Sequence, residues 1–355
     1  MANSTQRKIL RVSPASEIPQ LARDITAALV GNGPTLGFGE VASEFAPANC
    51  AVVVNTSGSN GLAKEVALSP AALLTSARAA NKYLAAKAGD TWSLLLPLTH
   101  VAAINVIVRA MELGTLPIDL RKFTGEYPKV NFTAIVPTQL FRALNGDARL
   151  LKHLQAAEKV LVGGAALSQG MRNQAEAAGI KIITTYGMTE TCGGCIYDGT
   201  PLAGVEAKLV AGKINLRGAV LALTYLNSPW GLADGWFETN DLGEIKNEKL
   251  VVLGRSDDVI ISGGENLSLI AVENSLATKF PNCQFAAFSL LDPQWGQTLQ
   301  LAVIGNSDDR QITVYLESEL GVFAKPKAIY HVAAFPLLGI GKVDKTALAK
   351  ELTHE

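Results

Sequence analysis

NTSGSNGLAKEVALS, residues 55–69, follows directly on the apolar run of residues 51–54. The small side chains of residues 56–61 let the backbone turn sharply and expose successive N–H groups, which form a nest for anions. Lys64 adds a point charge suited to phosphate. The segment is not a Walker A loop, because Lys64 is followed by a glutamate where that motif has Ser or Thr. A phosphate loop and an ordinary polar turn are both open readings at this point.

Composition restricts the class of protein. The chain has 355 residues, 48% of them hydrophobic and 18% charged, so it can build a large core in two or more domains. A net charge of −1 without a Lys/Arg block argues against nucleic acid or an anionic membrane as the main partner. The N-terminus MANSTQRKIL lacks the apolar segment of a secretory signal, and no apolar run is long enough to span a membrane. We therefore expect a cytoplasmic enzyme.

Four cysteines are present, and Cys192 and Cys195 form a C-x-x-C pattern. A zinc site would need a second pair of cysteines or a nearby pair of histidines. A thioredoxin-like motif would open a helix, which the two intervening glycines disfavour. We favour small residues packed near a site and keep metal or redox chemistry as the weaker reading.

Short apolar strands alternate with helical patterns through the first half of the chain. Strands are predicted at 91–98, 131–137, 159–164 and 181–187, and helices at 104–113, 138–146 and 168–179. The alternation predicts an α/β fold with a mainly parallel sheet and helices on both faces. Ligands of such sheets bind beyond the carboxyl ends of the strands.

The pattern changes at about Gly204. Short alternating runs predict an antiparallel meander or a small β-barrel-like portion, and a compact α+β pattern closes the chain. We predict a large N-terminal domain over 1–255, a hinge at 256–258 and a small C-terminal domain over 259–355.

Five segments identify a family by their order along the chain. They are TSGSNGLAKEV (56–66), TYGMTET (185–191), ETNDLGEI (238–245), GRSDDVIISGGEN (254–266) and GIGKVDK (339–345). The set resembles the adenylate-forming superfamily of acyl-CoA synthetases, adenylation domains and luciferases. One such match is weak evidence, whereas five in this order are very specific.

Within the superfamily, YGMTET and LPLTHVAAIN (96–105) look most like the 2-succinylbenzoate–CoA ligases of menaquinone biosynthesis. The phosphate loop begins only 55 residues into the chain, which favours the short ligases of the actinobacterial type. The chain departs from the superfamily pattern at Asn60, Ala63, Glu65 and Asn240, where a Thr, a Pro and two glycines are usual. The resemblance implies an ATP-dependent acid–CoA ligase that works through an acyl-adenylate.

The resemblance also implies a nucleotide site. The β- and γ-phosphates would be held by Thr56, Ser57, Gly58, Ser59, Asn60 and Gly61, assisted by Lys64. Glu190 would bind Mg²⁺ and Thr189 the α-phosphate. The segment Tyr186-Gly187 would lie near the adenine, together with Gly163, Gly164 and Ala165. Asp241 would accept the ribose hydroxyls, and Arg255 would contact ribose or phosphate.

A mobile C-terminal domain is part of the same implication. Lys342 would bridge the carboxylate and the α-phosphate, and His100 would be a gate between the nucleotide and acyl pockets. Gly263 and Gly264 would line the path of the pantetheine arm of CoA, with Asp257 as the hinge. The expected cofactors are ATP, Mg²⁺ and CoA, the partner is a small carboxylic acid, and a homodimer is one option for the assembly.

Other functions stay open on the sequence alone. The chain could act on another aryl or acyl acid, load a carrier protein, or bind nucleotide without catalysis. Each predicted site residue also has an ordinary structural reading, such as a core tyrosine or a turn aspartate. For the second carboxylate of 2-succinylbenzoate, Arg109 and Arg142 are the candidate cations.

Overall fold

The computed structural model describes residues 6–56, 63–262, 264–292, 295–337 and 343–353, without the side chain of Asp257. The first sheet contains β1 (Gln6–Arg11), β2 (Thr35–Phe38), β3 (Phe45–Pro47), β4 (Val52–Thr56) and β5 (Lys64–Leu68). β1, β2 and β4 run parallel, whereas β3 and β5 are antiparallel to their neighbours. Thr56 faces Lys64 across the β4–β5 pair, so the polar stretch joins two antiparallel strands.

The second sheet is the mainly parallel sheet that the sequence predicts. It contains β6 (Trp92–Leu94), β7 (Ile118–Asp119), β8 (Phe132–Ile135), β9 (Lys159–Val162), β10 (Ile182–Met188), β11 (Gly193–Tyr197) and β12 (Thr200–Pro201). Its strand order is β12-β11-β10-β9-β8-β6-β7. The strands from β10 to β7 are parallel, and β11 and β12 are antiparallel additions at one edge.

Six helices pack against the two sheets. They are α1 (Ile18–Leu29), α2 (Pro70–Tyr83), α3 (Val101–Glu112), α4 (Pro137–Leu144), α5 (Ala148–Ala156) and α6 (Gln169–Ala177). α1, α2 and α3 share one apolar core with both sheets, whereas α4, α5 and α6 share another with alternate residues of β8, β9 and β10. Helices therefore lie on both faces, as predicted. The start of the helix predicted at 168–179 is confirmed, because the Ser168 side chain caps α6, and Ser69 caps α2 in the same way.

The region after Gly204 is an antiparallel meander. Its strands are β13 (Val205–Val210), β14 (Lys213–Gly218), β15 (Thr224–Tyr225), β16 (Phe237–Lys246) and β17 (Lys249–Arg255). Four of them form a sheet in the order β13-β14-β16-β17. β15 leaves this sheet and pairs with β5 of the first sheet. That crossing brings residues 222–227 to the polar stretch of the opening segment.

The last part of the chain is α+β. It contains β18 (Val259–Ser262), β19 (Glu265–Ser268), α7 (Leu269–Lys279), β20 (Gln284–Asp292), β21 (Gly296–Ile304), α8 (Asp309–Leu320), β22 (Ala328–His331) and α9 (Lys345–Thr353). Its apolar cores use residues from Ile260 onward, while those of the earlier sheets end at Leu250. The division at 256–258 and the mobility of this part remain predictions. Among the described residues, no helix has the length and apolar content needed to cross a membrane.

Candidate active site

The carboxyl ends of parallel strands gather the predicted residues at one edge of the second sheet. His100 lies between β6 and α3, immediately before the helix begins. The segment 163–165 follows β9, and Thr189 and Glu190 lie in a short 3-10 turn after β10. Gly39 connects the first sheet to this edge, since a Cβ on it would lie 3.5 Å from the carbonyl oxygens of both Asn55 and Thr99.

One tyrosine joins the predicted phosphate and metal residues. The Tyr225 hydroxyl donates a hydrogen bond of 2.7 Å to Oε1 of Glu190. The Nζ of Lys64 lies 4.6 Å from the centroid of the Tyr225 ring. Burial and the Glu190 carboxylate raise the pKa of Tyr225 above its ordinary value, so the hydroxyl stays a donor at neutral pH. A cation and a carboxylate, distant in sequence, thus meet on one side chain.

A second group forms around Asp241. Its Oδ2 accepts a 2.7 Å hydrogen bond from the Tyr186 hydroxyl, and its Oδ1 lies 3.5 Å from Nη1 of Arg255. Asp241 and Arg255 are cross-strand partners of β16 and β17, which explains how the two motifs meet. Burial and the Asp241 carboxylate raise the pKa of Tyr186. The three residues predicted to surround the nucleoside are therefore in contact.

The segment after β9 needs glycine for a reason internal to the chain. A Cβ on Gly163 would lie 2.1 Å from Oγ1 of Thr185 on the adjacent strand β10. Gly163 therefore brings the backbone directly against β10. The next two residues, Gly164 and Ala165, are exposed at the strand ends. The arrangement leaves backbone groups open at the position that the resemblance gives to the adenine edge.

Comparison with known proteins decides the family. Residues 5–220 match the model of the AMP-binding enzyme family. The probable 2-succinylbenzoate–CoA ligase of Mycobacterium tuberculosis is 36% identical over 329 residues, which cover 86% of this chain and 85% of that protein. The chain belongs to the AMP-binding enzymes. The 2-succinylbenzoate–CoA ligase of Lactococcus lactis is 29% identical over 339 residues, 88% of this chain and 72% of that protein.

Solved structures give this AMP-binding enzyme the same fold. An Escherichia coli MenE variant with bound OSB-AMS has a TM-score of 0.76 at 24% identity, covering 98% of this chain and 82% of that one. The o-succinylbenzoate CoA synthetase of Bacillus subtilis, in complex with the acyl-adenylate OSB-AMP, has a TM-score of 0.73 at 22% identity, covering 96% and 82%. The α/β fold predicted from the alternation of strands and helices is confirmed.

His100 is half-buried in the AMP-binding enzyme. Its Nε2 is buried and has no hydrogen-bond partner among the residues that the structure describes. Burial lowers the pKa of His100, so its imidazole is neutral at pH 7. A neutral, unpartnered ring nitrogen at the strand ends is a group that a ligand could engage.

Cys192 and Cys195 are packing residues. Both are buried, and burial raises the pKa of the Cys195 thiol to about 11 and that of Cys192 further. The Cys192 carbonyl accepts hydrogen bonds from Asn105 on α3 and Ser76 on α2. Within the described ranges, no group of three His, Cys, Asp or Glu side chains could hold a metal ion. The small residues here join β11 to two helices.

The candidate cations for a second carboxylate lie in different surroundings. The Nε of Arg142 is 3.2 Å from Oδ2 of Asp147, and the Arg142 side chain is 62% exposed. Arg142 is therefore a surface residue. Arg109 is 4% exposed on α3, with its guanidinium carbon 5.5 Å from the centroid of the Trp92 ring. Its Nε has no hydrogen-bond partner in the described part of the chain.

Several predicted residues lie outside the description of the structure. They are Ser57, Gly58, Ser59, Asn60, Gly61, Gly263, Lys342 and the side chain of Asp257, and their roles stay predictions. At the edge of the stretch 57–62, Thr56 Oγ1 donates to the Lys64 carbonyl at 3.2 Å. Gly264 lies between β18 and β19 with a φ of +88°, and no atom of the described residues lies within 4 Å of an added Cβ.

Glu65, where the superfamily has glycine, has a structural role. It is 2% exposed, and its carboxylate accepts hydrogen bonds from the backbone N–H groups of Ala42 and Ser43. The contact ties the start of β5 to the loop after β2. This departure from the superfamily pattern thus fixes one side of the predicted phosphate stretch.

A buried histidine away from the site predicts a dependence of stability on pH. His153 is 3% exposed, its Nε2 lies 2.9 Å from Oγ of Ser93, and burial lowers its pKa. In the unfolded chain, His153 is protonated near pH 6.5. Its contribution to stability is therefore present above pH 6.5 and is lost as the pH falls. The loss at pH 5 is at most about 2 kcal/mol. Urea unfolding at pH 7.5 and 5 should show that His153→Gln loses less free energy of unfolding on acidification than the parent does. The exposed control His331→Gln should lose as much as the parent.

Proposed function

We propose that this AMP-binding enzyme converts 2-succinylbenzoate, ATP and CoA to 2-succinylbenzoyl-CoA, AMP and diphosphate, as a cytoplasmic enzyme of menaquinone biosynthesis. The names of the relatives from M. tuberculosis and L. lactis support this substrate. The observation that carries the proposal is the contact of Glu190 and Lys64 with one tyrosine, beside the Tyr186–Asp241 pair. It supplies a hard carboxylate, a cation and a ribose acceptor in one region.

The first step joins the acid to AMP. A carboxylate oxygen of the acid attacks the α-phosphorus of ATP, and diphosphate leaves with the bonding electrons. Two anions approach in this step, so cations and N–H groups must stabilise the developing charge. Lys342 would pair with the carboxylate and the α-phosphate, Thr189 would contact the α-phosphate, and Lys64 would hold the outer phosphates together with the backbone of 56–61.

Glu190 fits a magnesium ion. Its carboxylate is a hard oxygen donor, the kind that Mg²⁺ takes alongside phosphate oxygens. One of its two oxygens is held by Tyr225 at 2.7 Å, which fixes the orientation of the group. When bound, the ion would neutralise phosphate charge.

The nucleoside would be held by residues that already contact one another. An ionised carboxylate has about four acceptor positions, so Asp241 can accept from the ribose hydroxyls while it holds Tyr186. Arg255, 3.5 Å from the same carboxylate, would add a contact to ribose or phosphate. The Tyr186 ring and the backbone of 163–165 would lie against the adenine, with Gly187 next to them in β10.

Arg109 would hold the carboxylate of 2-succinylbenzoate that does not react. A buried charge is costly unless an opposite charge or hydrogen bonds compensate it. No ion pair of Arg109 occurs among the described residues, and its Nε is unpartnered there. The second carboxylate of the substrate would supply the missing counter-charge. Arg142 already pairs with Asp147 at the surface, which leaves Arg109 as the better candidate.

The second step transfers the acyl group to CoA. The thiol, losing its proton, attacks the acyl carbon, and AMP leaves with its bonding electrons. A rotation about Asp257 would replace the Lys342 loop by the turn at Gly263 and Gly264. The described residues leave open space at the Cβ position of Gly264, which suits a passage for the pantetheine arm. His100, whose Nε2 has no partner among the residues described, would be the gate between the two pockets.

A pyrophosphate-release screen tests the substrate. The purified chain is given ATP, Mg²⁺ and CoA with a panel of aromatic, succinyl-aromatic and long-chain acids. We expect 2-succinylbenzoate to give the highest kcat/KM and a CoA thioester. Efficient turnover of benzoate or fatty acids with no activity toward 2-succinylbenzoate would contradict the proposed substrate. The general activity of an acid–CoA ligase would then be all that remains of the proposal.

A further inference from the structure

Tyr225 is fixed on several sides. Its hydroxyl bonds Oε1 of Glu190 at 2.7 Å, and its ring carries the Nζ of Lys64 at 4.6 Å from the centroid. The Trp230 ring packs edge-on against it, with centroids 4.9 Å apart, and Phe237 stacks on Trp230 at 5.0 Å. Only 8% of Tyr225 is exposed. The side chain is therefore a rigid spacer between a carboxylate and an ammonium group.

The backbone around Tyr225 also links the Glu190 turn to the residues beside Lys64. At one end the N–H of Ala222 donates to the Glu190 carbonyl at 2.8 Å. At the other end the N–H of Leu226 donates to the Glu65 carbonyl at 2.9 Å. The Asn227 side chain donates to the Ala63 carbonyl at 2.8 Å and accepts from the Glu65 N–H at 2.9 Å. The segment 222–227 thus ties the turn that carries Glu190 to the base of the polar stretch.

We propose that Tyr225 is a positioning residue that orients Glu190 toward the divalent cation and holds Lys64 beside it. The inference rests on the proposed function. The Tyr225 hydroxyl is the one donor that reaches the Glu190 carboxylate within the described part of the chain. It holds Oε1 and leaves Oε2 for the cation. Groups that hydrogen-bond a metal ligand in this way fix its geometry, and their removal typically costs about 10- to 100-fold in metal affinity or activity.

The test measures cation binding without turnover. Mn²⁺ binding is followed by electron paramagnetic resonance in the presence of α,β-methylene-ATP, with neither acid nor CoA. Tyr225→Phe removes the hydroxyl and keeps the ring under Lys64, so we expect about 10-fold weaker Mn²⁺ binding. Metal-free binding of the nucleotide analogue and the melting temperature should stay close to those of the parent. Tyr225→Leu removes the ring as well and should also weaken metal-free binding of the analogue.

The matched control is Tyr127→Phe. The Tyr127 hydroxyl accepts a 2.8 Å hydrogen bond from Arg149, away from the site, so its loss should leave Mn²⁺ binding unchanged. Glu190→Gln then tests the route of the effect. If Tyr225 acts through Glu190, Tyr225→Phe should cause little further loss in the Glu190→Gln background.

The outcomes separate this inference from the proposed function. If the parent protein binds no Mn²⁺ with the nucleotide analogue, the nucleotide site is wrong and both fail. If the parent binds Mn²⁺ and Tyr225→Phe binds it equally well, the positioning role alone is overturned. A full 10-fold loss that persists in the Glu190→Gln background also overturns it, because the hydroxyl would then act elsewhere.

Discussion

Replacing Lys342 by alanine should lower the rate of acyl-adenylate formation by about 10²–10³-fold, the usual effect of losing one preorganised charge stabiliser. The same variant should still convert supplied acyl-adenylate and CoA to thioester, because the lysine would have left the site before that step. Both half-reactions are measured by single-turnover quench. The control is Lys350→Ala, an exposed lysine of α9, which should keep both rates.

Gly264→Leu should show the opposite pattern. A branched side chain would obstruct the pantetheine path and slow thioester formation while adenylation continues. The φ of +88° at Gly264 means that any side chain strains the backbone, so melting curves must first show a folded variant. Equal loss of both half-reactions in Lys342→Ala and Gly264→Leu would contradict an alternating C-terminal domain. Normal adenylation by Lys342→Ala would mean that the catalytic cation lies elsewhere.

Arg109→Met should lower kcat/KM for 2-succinylbenzoate by about 10²–10³-fold, since breaking a buried charge pair typically costs about 3–5 kcal/mol. The KM for ATP should hardly change. The free energy of unfolding without substrate should stay equal or rise by about 1 kcal/mol or more, because a buried charge with no ion pair among the described residues is replaced by an apolar side chain of similar length. Steady-state kinetics and urea unfolding of one preparation measure both effects.

Arg142→Met is the matched control for Arg109. It removes an exposed arginine paired with Asp147, so it should leave the kinetics unchanged and alter stability by about 0.5 kcal/mol or less. If Arg109→Met keeps its activity toward 2-succinylbenzoate, the second carboxylate is held by another group. If the variant loses activity and stability together, Arg109 is a structural residue.

Local patterns predicted the second sheet well because its strands and helices carry their own signals. Ser168 caps α6 and apolar runs form β8, β9 and β10, as expected. The predicted strand at 91–98 was too long. Only Trp92–Leu94 pairs with neighbouring strands, and the chain then turns toward α3, which begins at Val101. Pro97, which lacks an N–H group, lies in that turn.

Contacts between distant segments could not be predicted from the sequence patterns. β5 was not predicted, because its short apolar run becomes a strand through pairing with β4 and β15. Tyr225 was missed for the same reason. In an alternating run, Tyr225 has the pattern of an ordinary strand residue. It reaches Glu190, 35 positions away, because β15 pairs with β5 of the first sheet. The motifs predicted Glu190 and Asp241 as site residues, whereas the side chains that contact them became visible only in the structure.

The most direct test of the acyl-adenylate is an oxygen-isotope transfer. 2-Succinylbenzoate labelled with ¹⁸O in both carboxylates is turned over with ATP, Mg²⁺ and CoA, and the ¹⁸O content of each product is measured by mass spectrometry. Attack of a carboxylate oxygen on the α-phosphorus predicts one ¹⁸O in AMP, none in diphosphate and one equivalent of 2-succinylbenzoyl-CoA. Unlabelled AMP, or ADP with labelled phosphate, would contradict the account.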